Sequence, residues 1–292
     1  MTTKLTLLVT CTNRKTTATS SELQVRNLPD APLEERVRHW NQRLASAGTR
    51  RPLRELYKGE AWAQVRQLEK TARASGYEPT VVVASAGLGL RGIDYPSPAY
   101  AATFNRPHKD AVGDTNSAAS SWWKHLHDQD SERPALKGPM LWVLSQSYSA
   151  AISQHLLAYA DTAELLVFGG SDHIAPAQRM PSDRSLRSSL GGTANGLNLR
   201  MAIRWLELAE DGGLFTAATR ERWNAWAAVS RRTEVHGRMT LSDSAVLDFI
   251  GSLRSSDPGI PKTRALRLLR DAGYACEQRR FNTLFEPTGA RS

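Results

Sequence analysis

Four short apolar runs interrupt a chain otherwise made of longer amphipathic stretches: Leu5–Thr10 (LTLLVT), Thr80–Ser85 (TVVVAS), Met140–Ser145 (MLWVLS) and Glu164–Gly169 (ELLVFG). Each is rich in Val and Leu, bounded by turn residues and too short for a helix, which predicts strands buried on both faces. Helical spacing fills the intervals. Val37, Trp40 and Leu44 share a face within 33–47, and Val65, Leu68 and Ala72 do so within 62–74, ahead of Gly76. Further helices are predicted over 117–126, 150–160 and 197–209. The alternation predicts an α/β fold, three-layered, with a central four-stranded parallel sheet between helices. In such a sheet the carboxyl ends of the strands share one edge, where the crevice forms. The polar loops leaving the four runs are therefore the candidate site: Cys11-Thr12-Asn13-Arg14-Lys15, Ala86–Leu90, Gln146-Ser147-Tyr148 and Gly170-Ser171-Asp172-His173.

At Asp211-Gly212-Gly213 the pattern changes, dividing the chain into 1–213 and 214–292. The second part has no buried-strand run. Ser242 opens one helix, Asp257-Pro258-Gly259 turns the chain, and Pro261 opens a second helix carrying Lys262, Arg264, Arg267 and Arg270. With Arg279 and Arg280 beyond it, this resembles a basic helix-turn-helix or winged-helix unit, the alternative being a solvated basic face. The 292 residues hold 38 Lys+Arg and 29 Asp+Glu, a formal charge of +9, and 13 and 8 of these fall from Leu214 onward. Such an excess favours a polyanion, nucleic acid being the commonest. Cys11 and Cys276, far apart, imply neither a disulfide scaffold nor a cysteine zinc site. His125 and His127 lack matching ligands for zinc. No apolar run reaches the roughly 20 residues that cross a bilayer, and no signal-peptide pattern opens the chain, so a cytoplasmic location is expected.

Chemistry-bearing residues cluster in the loops. Asn13 can orient a water or meet a base edge, while Arg14 and Lys15 can neutralise a phosphate. The glycines of Ser85-Ala86-Gly87-Leu88-Gly89 let backbone approach a flat ligand, although they form no phosphate-binding signature. The aromatic stretch Asp94–Asn105 has the ingredients of a base pocket. Tyr100 or Phe104 would stack on an extruded base, unless they simply tuck the loop onto the core, and Asp94 adds a carboxylate. His173, directly after the fourth run, can serve acid–base or charge-stabilising work, though a lone histidine is more often structural.

The segments LLVTCTNRK (Leu7–Lys15), RELYKGEAW (Arg54–Trp62), ASAGLGL (Ala84–Leu90) and PAYAATF (Pro98–Phe104) together resemble a family of small bacterial and phage proteins. Its pattern is a strand ending Cys-Ser/Thr-x-x-Lys, then Leu-Tyr-x-Gly, Ser-Ala-x-x-Gly-Leu and Pro-Tyr-x-x-Thr-Leu/Phe. That family is similar in fold to the uracil-DNA-glycosylase superfamily, and relatives of the domain occur in archaeosine-pathway tRNA enzymes. The resemblance covers about the first 110 residues. It implies that Asn13 activates water, that Phe104 or Tyr100 stacks on a flipped base, and that His173 stabilises the leaving group. The chain lacks the superfamily's Gly-Gln-Asp-Pro-Tyr and His-Pro-Ser-Pro motifs, which argues against uracil itself. A basic member of this kind resembles anti-phage DNA glycosylases that remove glucosylated 5-hydroxymethylcytosine.

The resulting expectation is a monofunctional DNA glycosylase that hydrolyses an N-glycosidic bond in double-stranded phage DNA and leaves an abasic site, without metal, cofactor, membrane or obligate protein partner. Asn13, Asp94 and His173 are its expected catalytic residues. Cys11, Thr12, Ser85, Gly87, Tyr100, Phe104, Gln146, Ser171 and Asp172 are expected to hold the base or an attached sugar. Arg14, Lys15, Lys262, Arg264, Arg267, Arg270, Arg279 and Arg280 are expected to grip DNA. The rival expectations are a base-exchange or base-releasing enzyme acting on tRNA or nucleosides, and a non-enzymatic DNA-binding regulator.

Overall fold

The computed structural model describes residues 3–128, 130–154, 158, 164–175, 178–209, 213–232 and 239–286. Its strands are β1 (Thr3–Thr10), β2 (Arg51–Pro52), β3 (Tyr77–Ser85), β4 (Gly89–Gly92), β5 (Pro96–Ser97), β6 (Met140–Leu144), β7 (Leu165–Gly169), β8 (Arg179–Met180), β9 (Met239–Thr240) and β10 (Tyr274–Ala275). Its helices are α1 (Leu33–Ser46), α2 (Leu53–Leu56), α3 (Glu60–Ala74), α4 (Asn116–Asp128), α5 (Gln146–Ala151), α6 (Arg187–Leu190), α7 (Leu197–Ala209), α8 (Ala217–Ser230), α9 (Asp243–Ser256), α10 (Lys262–Asp271) and α11 (Gln278–Phe285).

The chain is α/β, and its central sheet has six strands in the order β4-β3-β1-β6-β7-β8. The four predicted strands are its parallel middle, and every residue of β6 and β7 is buried. Two short edges went unpredicted. The four-residue β4 folds back antiparallel on β3, and the two-residue β8 adds parallel to β7. From β1 the chain crosses to β3 on one side, then returns past β1 to β6 on the other. Because such crossovers are right-handed, α3 and α4 cover opposite faces. Accordingly α3 packs with α7 on β1, β3, β6 and β7, while α4 packs with α1 and α5. The reversal puts a topological switch point between the carboxyl ends of β1 and β6, where open α/β sheets form their crevice.

The expected helix 150–160 begins earlier, as α5 at Gln146, with the Ser145 hydroxyl capping it by accepting from the Tyr148 amide. Much of 150–160, and Asp211-Gly212, lie outside the described residues.

The chain forms two compact units, Met1–Arg232 and Thr233–Ser292. The division falls beyond residue 213 because α8 returns to the first core. Trp223 packs on Phe168 and Trp205, at centroid distances of 6.3 and 5.8 Å, and the Arg232 amide donates to the Ser185 carbonyl. In the second unit α9, α10 and α11 enclose Val246, Ile250, Leu266, Leu269 and Phe281, and β9 pairs with β10. No helix of the described residues is long and apolar enough to cross a membrane.

Candidate functional site

A cavity of about 560 Å³ opens at the β1–β6 switch point. The loop after β1 contributes Thr10, Cys11, Thr12, Asn13 and Arg14, and the end of β6 contributes Ser145 and, on α5, Tyr148. Lys58, Gly59, Glu60, Ala61 and Trp62 bring the amino end of α3 to its wall. Thr103 and Asn105 belong to the long loop before α4, Asn195 to the turn preceding α7, and Asn198 and Leu199 to the first turn of α7. Helix amino ends and the carboxyl ends of parallel strands lie on the same edge of such a sheet, so the wall combines neutral hydrogen-bonding groups with the positive end of the α3 dipole.

The β1 loop is fixed by its neighbours. The Thr16 amide donates to the Leu56 carbonyl and the Lys58 amide to that of Arg14, stapling 14–16 to the α2–α3 connection. Gly59 takes φ +103°, and a Cβ there would meet Arg14 Cδ at 3.0 Å, which makes glycine necessary where the two loops touch. Glu60 pairs with the buried Arg200, and its Oε2 accepts from the Thr193 hydroxyl at 2.7 Å.

Asn13 is exposed at the cavity wall, its carboxamide 3.2 Å from His108 Nε2. The other ring nitrogen, Nδ1, accepts the Asp110 amide at 3.0 Å. With Nδ2 at His108, Asn13 keeps its carboxamide oxygen and a second N–H for a ligand. The buried Asp110 that anchors this loop is paired with Arg26 Nε at 3.1 Å.

Below the cavity lies a buried polar cluster. Cys11 Sγ is 3.1 Å from Tyr148 Oη. Tyr100 Oη bonds Ser85 Oγ at 2.5 Å and also Tyr57 Oη. Burial, reinforced by Cys11, pushes the Tyr148 and Tyr57 hydroxyls well above the usual tyrosine range, and burial does the same to Tyr100. All three act as phenols. Lys15 is 7% exposed, and its Nζ has no hydrogen-bond partner, lying 4.4 Å from the Tyr100 ring centroid and 5.4 Å from that of Tyr57. Burial lowers its pKa, with Cys11 and Asp110 opposing.

Of the expected site residues, Cys11, Thr12, Asn13 and Arg14 line the cavity. Several others are scaffold. Ser85 Oγ accepts from the Gly87 and Leu88 amides, and the Ala86 and Gly87 carbonyls receive the Trp122 and Trp40 indoles at 2.7 Å. A Cβ on Gly87 would stand 2.6 Å from the Tyr100 ring, so that glycine serves a close packing contact. Tyr100 and Phe104 are buried, Phe104 edge-on to Tyr148 and Trp123, and neither offers a free face.

Asp94 lies at the other end of the strands. Because β4 runs antiparallel, the chain has travelled back along β3 by Ile93, whose amide donates to the Val81 carbonyl, and Asp94 pairs there with Arg54. His173 is exposed and lines no part of the cavity. The reason is Asn198. Its amide donates to the Leu144 carbonyl at 3.1 Å and its side chain lies where a Cβ of Gly169 would be, so it covers the end of β7. Ser171 is buried against Ser149 Oγ at 3.0 Å, and Asp172 pairs with Arg179. Gln146 is exposed on α5 away from the lining, and Lys15 lies behind it.

Sequence reasoning missed Lys58, Glu60, His108, Asn195 and Asn198 as site residues, while Tyr148 and Asn105 lay in loops it had singled out. The signal for the first two was present: Gly59-Glu60 opens a helix that must start at the strand-carboxyl edge. In the second unit, Lys262 pairs with Glu286 at 3.3 Å, Arg264 with Asp257 at 3.9 Å, Arg267 with Asp271 at 3.6 Å and Arg280 with Asp243 at 2.5 Å. Arg270 donates to the Cys276 carbonyl, and Arg279 is exposed. Comparison with family models, with curated proteins and with solved structures finds no match to this chain.

Proposed function

We propose that the protein is a monofunctional glycosylase of uracil-DNA-glycosylase-like, three-layer architecture that hydrolyses the N-glycosidic bond of a modified base in phage DNA, glucosylated 5-hydroxymethylcytosine being the lead substrate. The observation that carries this reading is the cavity of about 560 Å³ at the β1–β6 switch point, lined by Asn13, Arg14, Lys58 and Glu60 together with hydroxyl and carboxamide side chains. Such a lining suits the edge of an extruded base and an attached sugar better than a bare phosphate.

In this reading Asn13, held by His108, meets an acceptor of the base or orients the attacking water. Glu60 takes the role first assigned to Asp94: a carboxylate facing the positive charge that develops on the sugar. Tyr148 and Asn105 meet the departing base. The test is incubation of the pure protein with glucosylated, hydroxymethylated and unmodified phage DNA, followed by detection of abasic sites. The expected result is abasic sites in glucosylated DNA, with Asn13→Ala reducing the rate by about 100-fold, the usual effect of deleting one polar group that acts in the transition state. Absence of abasic sites in all three DNAs would refute it.

One observation favours a second reading. Every residue lining the cavity belongs to Met1–Arg232, so base release from RNA or a free nucleoside needs nothing from the second unit. That reading expects product from RNA or nucleosides at a rate that DNA does not match.

A further inference from the structure

The unit holding the helix-turn-helix pattern is about as basic for its length as the rest of the chain. Thr233–Ser292 contains 9 Lys+Arg against 7 Asp+Glu, which leaves 29 against 22 in Met1–Arg232. In the second unit Lys262, Arg264, Arg267 and Arg280 are paired with carboxylates, while Arg254 and Arg270 donate to main-chain carbonyls.

Around the cavity mouth the opposite holds. Arg14 and Lys58 line it, and among the described residues neither forms an ion pair. Asn105 on the wall and His108 against Asn13 bracket an exposed loop, 105–109, that carries Arg106 and Lys109. Arg106 bonds only neutral acceptors, the Asp114 carbonyl and the Asn116 side chain, so its charge is not cancelled by a carboxylate. Lys109 is exposed and forms no ion pair among the described residues. Among neighbouring acids Glu60 is paired with Arg200 and Asp110 with Arg26, and Asp114 meets Arg106 through its carbonyl.

We propose that Arg14, Lys58, Arg106 and Lys109 form the surface that holds the DNA backbone on either side of the nucleotide entering the cavity. The inference rests on reading that cavity as a nucleotide site. Phosphates are met there by cations that no carboxylate among the described residues neutralises, whereas Lys262, Arg264 and Arg267 of α10 are already paired with carboxylates. Each phosphate contact releases condensed counterions, so the contacts are countable from the salt dependence of binding.

The experiment is fluorescence anisotropy of the full chain on a labelled unmodified duplex across a salt series. It compares wild type with a mouth variant (Lys58→Gln, Arg106→Gln, Lys109→Gln) and a helix variant (Lys262→Gln, Arg264→Gln, Arg267→Gln). Removing three phosphate contacts should lower the slope of log affinity against log salt by about 2.7 and weaken binding at 0.1 M salt on the order of 100-fold. The helix variant should stay within about threefold of wild type. A mouth variant that keeps the wild-type slope, a helix variant that loses it, or a wild type without salt-dependent binding each overturns the proposal. Base release at saturating protein is scored separately. A lost slope without base release from any DNA retains this surface and refutes the glycosylase reading, whereas base release with an unchanged slope does the reverse.

Discussion

Lys15 offers the sharpest test of whether the cluster under the cavity exists for function or for stability. Its ammonium is 7% exposed and has no hydrogen-bond partner, only the rings of Tyr100 and Tyr57 at 4.4 and 5.4 Å. A desolvated cation–π contact contributes roughly 2 kcal/mol. Removing an ammonium from water costs several kcal/mol even after relaxation. Burial outweighs the opposing influence of Cys11 and Asp110 and lowers the Lys15 pKa, so the fold holds this proton less tightly than the unfolded chain does. Lys15→Met keeps an apolar stem on the rings and removes the penalty, so it should stabilise the first unit by about 1–2 kcal/mol at pH 7.5, with Tm rising by about 2–6 °C.

The sign follows from linkage. Between the folded pKa and 10.5 the unfolded chain binds more protons at this site, so wild-type stability rises with pH across that window. The stabilising contribution is fully present above 10.5 and is lost as pH falls through the folded value. The advantage of methionine should therefore shrink by pH 10.5 or above. All 8 tryptophans lie within Met1–Arg232, so denaturant melts read by tryptophan fluorescence follow this unit alone. A loss of more than about 1 kcal/mol at pH 7.5, or an equal gain at both pH values, would refute the reasoning. If this costly amine is kept for function, base release by Lys15→Met should fall at least about tenfold.

Other residues should behave according to their positions. Asp94→Ala and His173→Ala should leave base release within about twofold of wild type, and loss of the exposed Arg54–Asp94 pair should cost less than about 1 kcal/mol in a denaturant melt. Gly87→Ala drives a methyl to 2.6 Å from the Tyr100 ring, so fluorescence melts should show a loss of about 1–3 kcal/mol.

The four central strands were legible because burial on both faces leaves unbroken apolar runs, as in MLWVL and LLVFG. The edge strands were not, since four and two residues carry no period, and only pairing with β3 and β7 defines them. That gap misplaced Asp94. Its distance from Ser85 in sequence is short, yet β4 uses those residues to return along the sheet. The aromatic loop misled for a different reason. Tyr100 and Phe104 have the composition of a stacking platform, and residue type does not separate a ring that meets a ligand from one that fills a core. Asn13 was legible because it follows a strand end directly. Asn198 was not, because its capping of β7 arises only once α7 crosses that strand's end.

Mass spectrometry of whatever leaves glucosylated phage DNA tests the central claim most directly. The expected product is an intact modified base, glucose still attached, appearing in step with abasic sites and nearly absent with Asn13→Ala. A released nucleotide, a freed glucose with the base left in the strand, or equal yields from wild type and Asn13→Ala would contradict it.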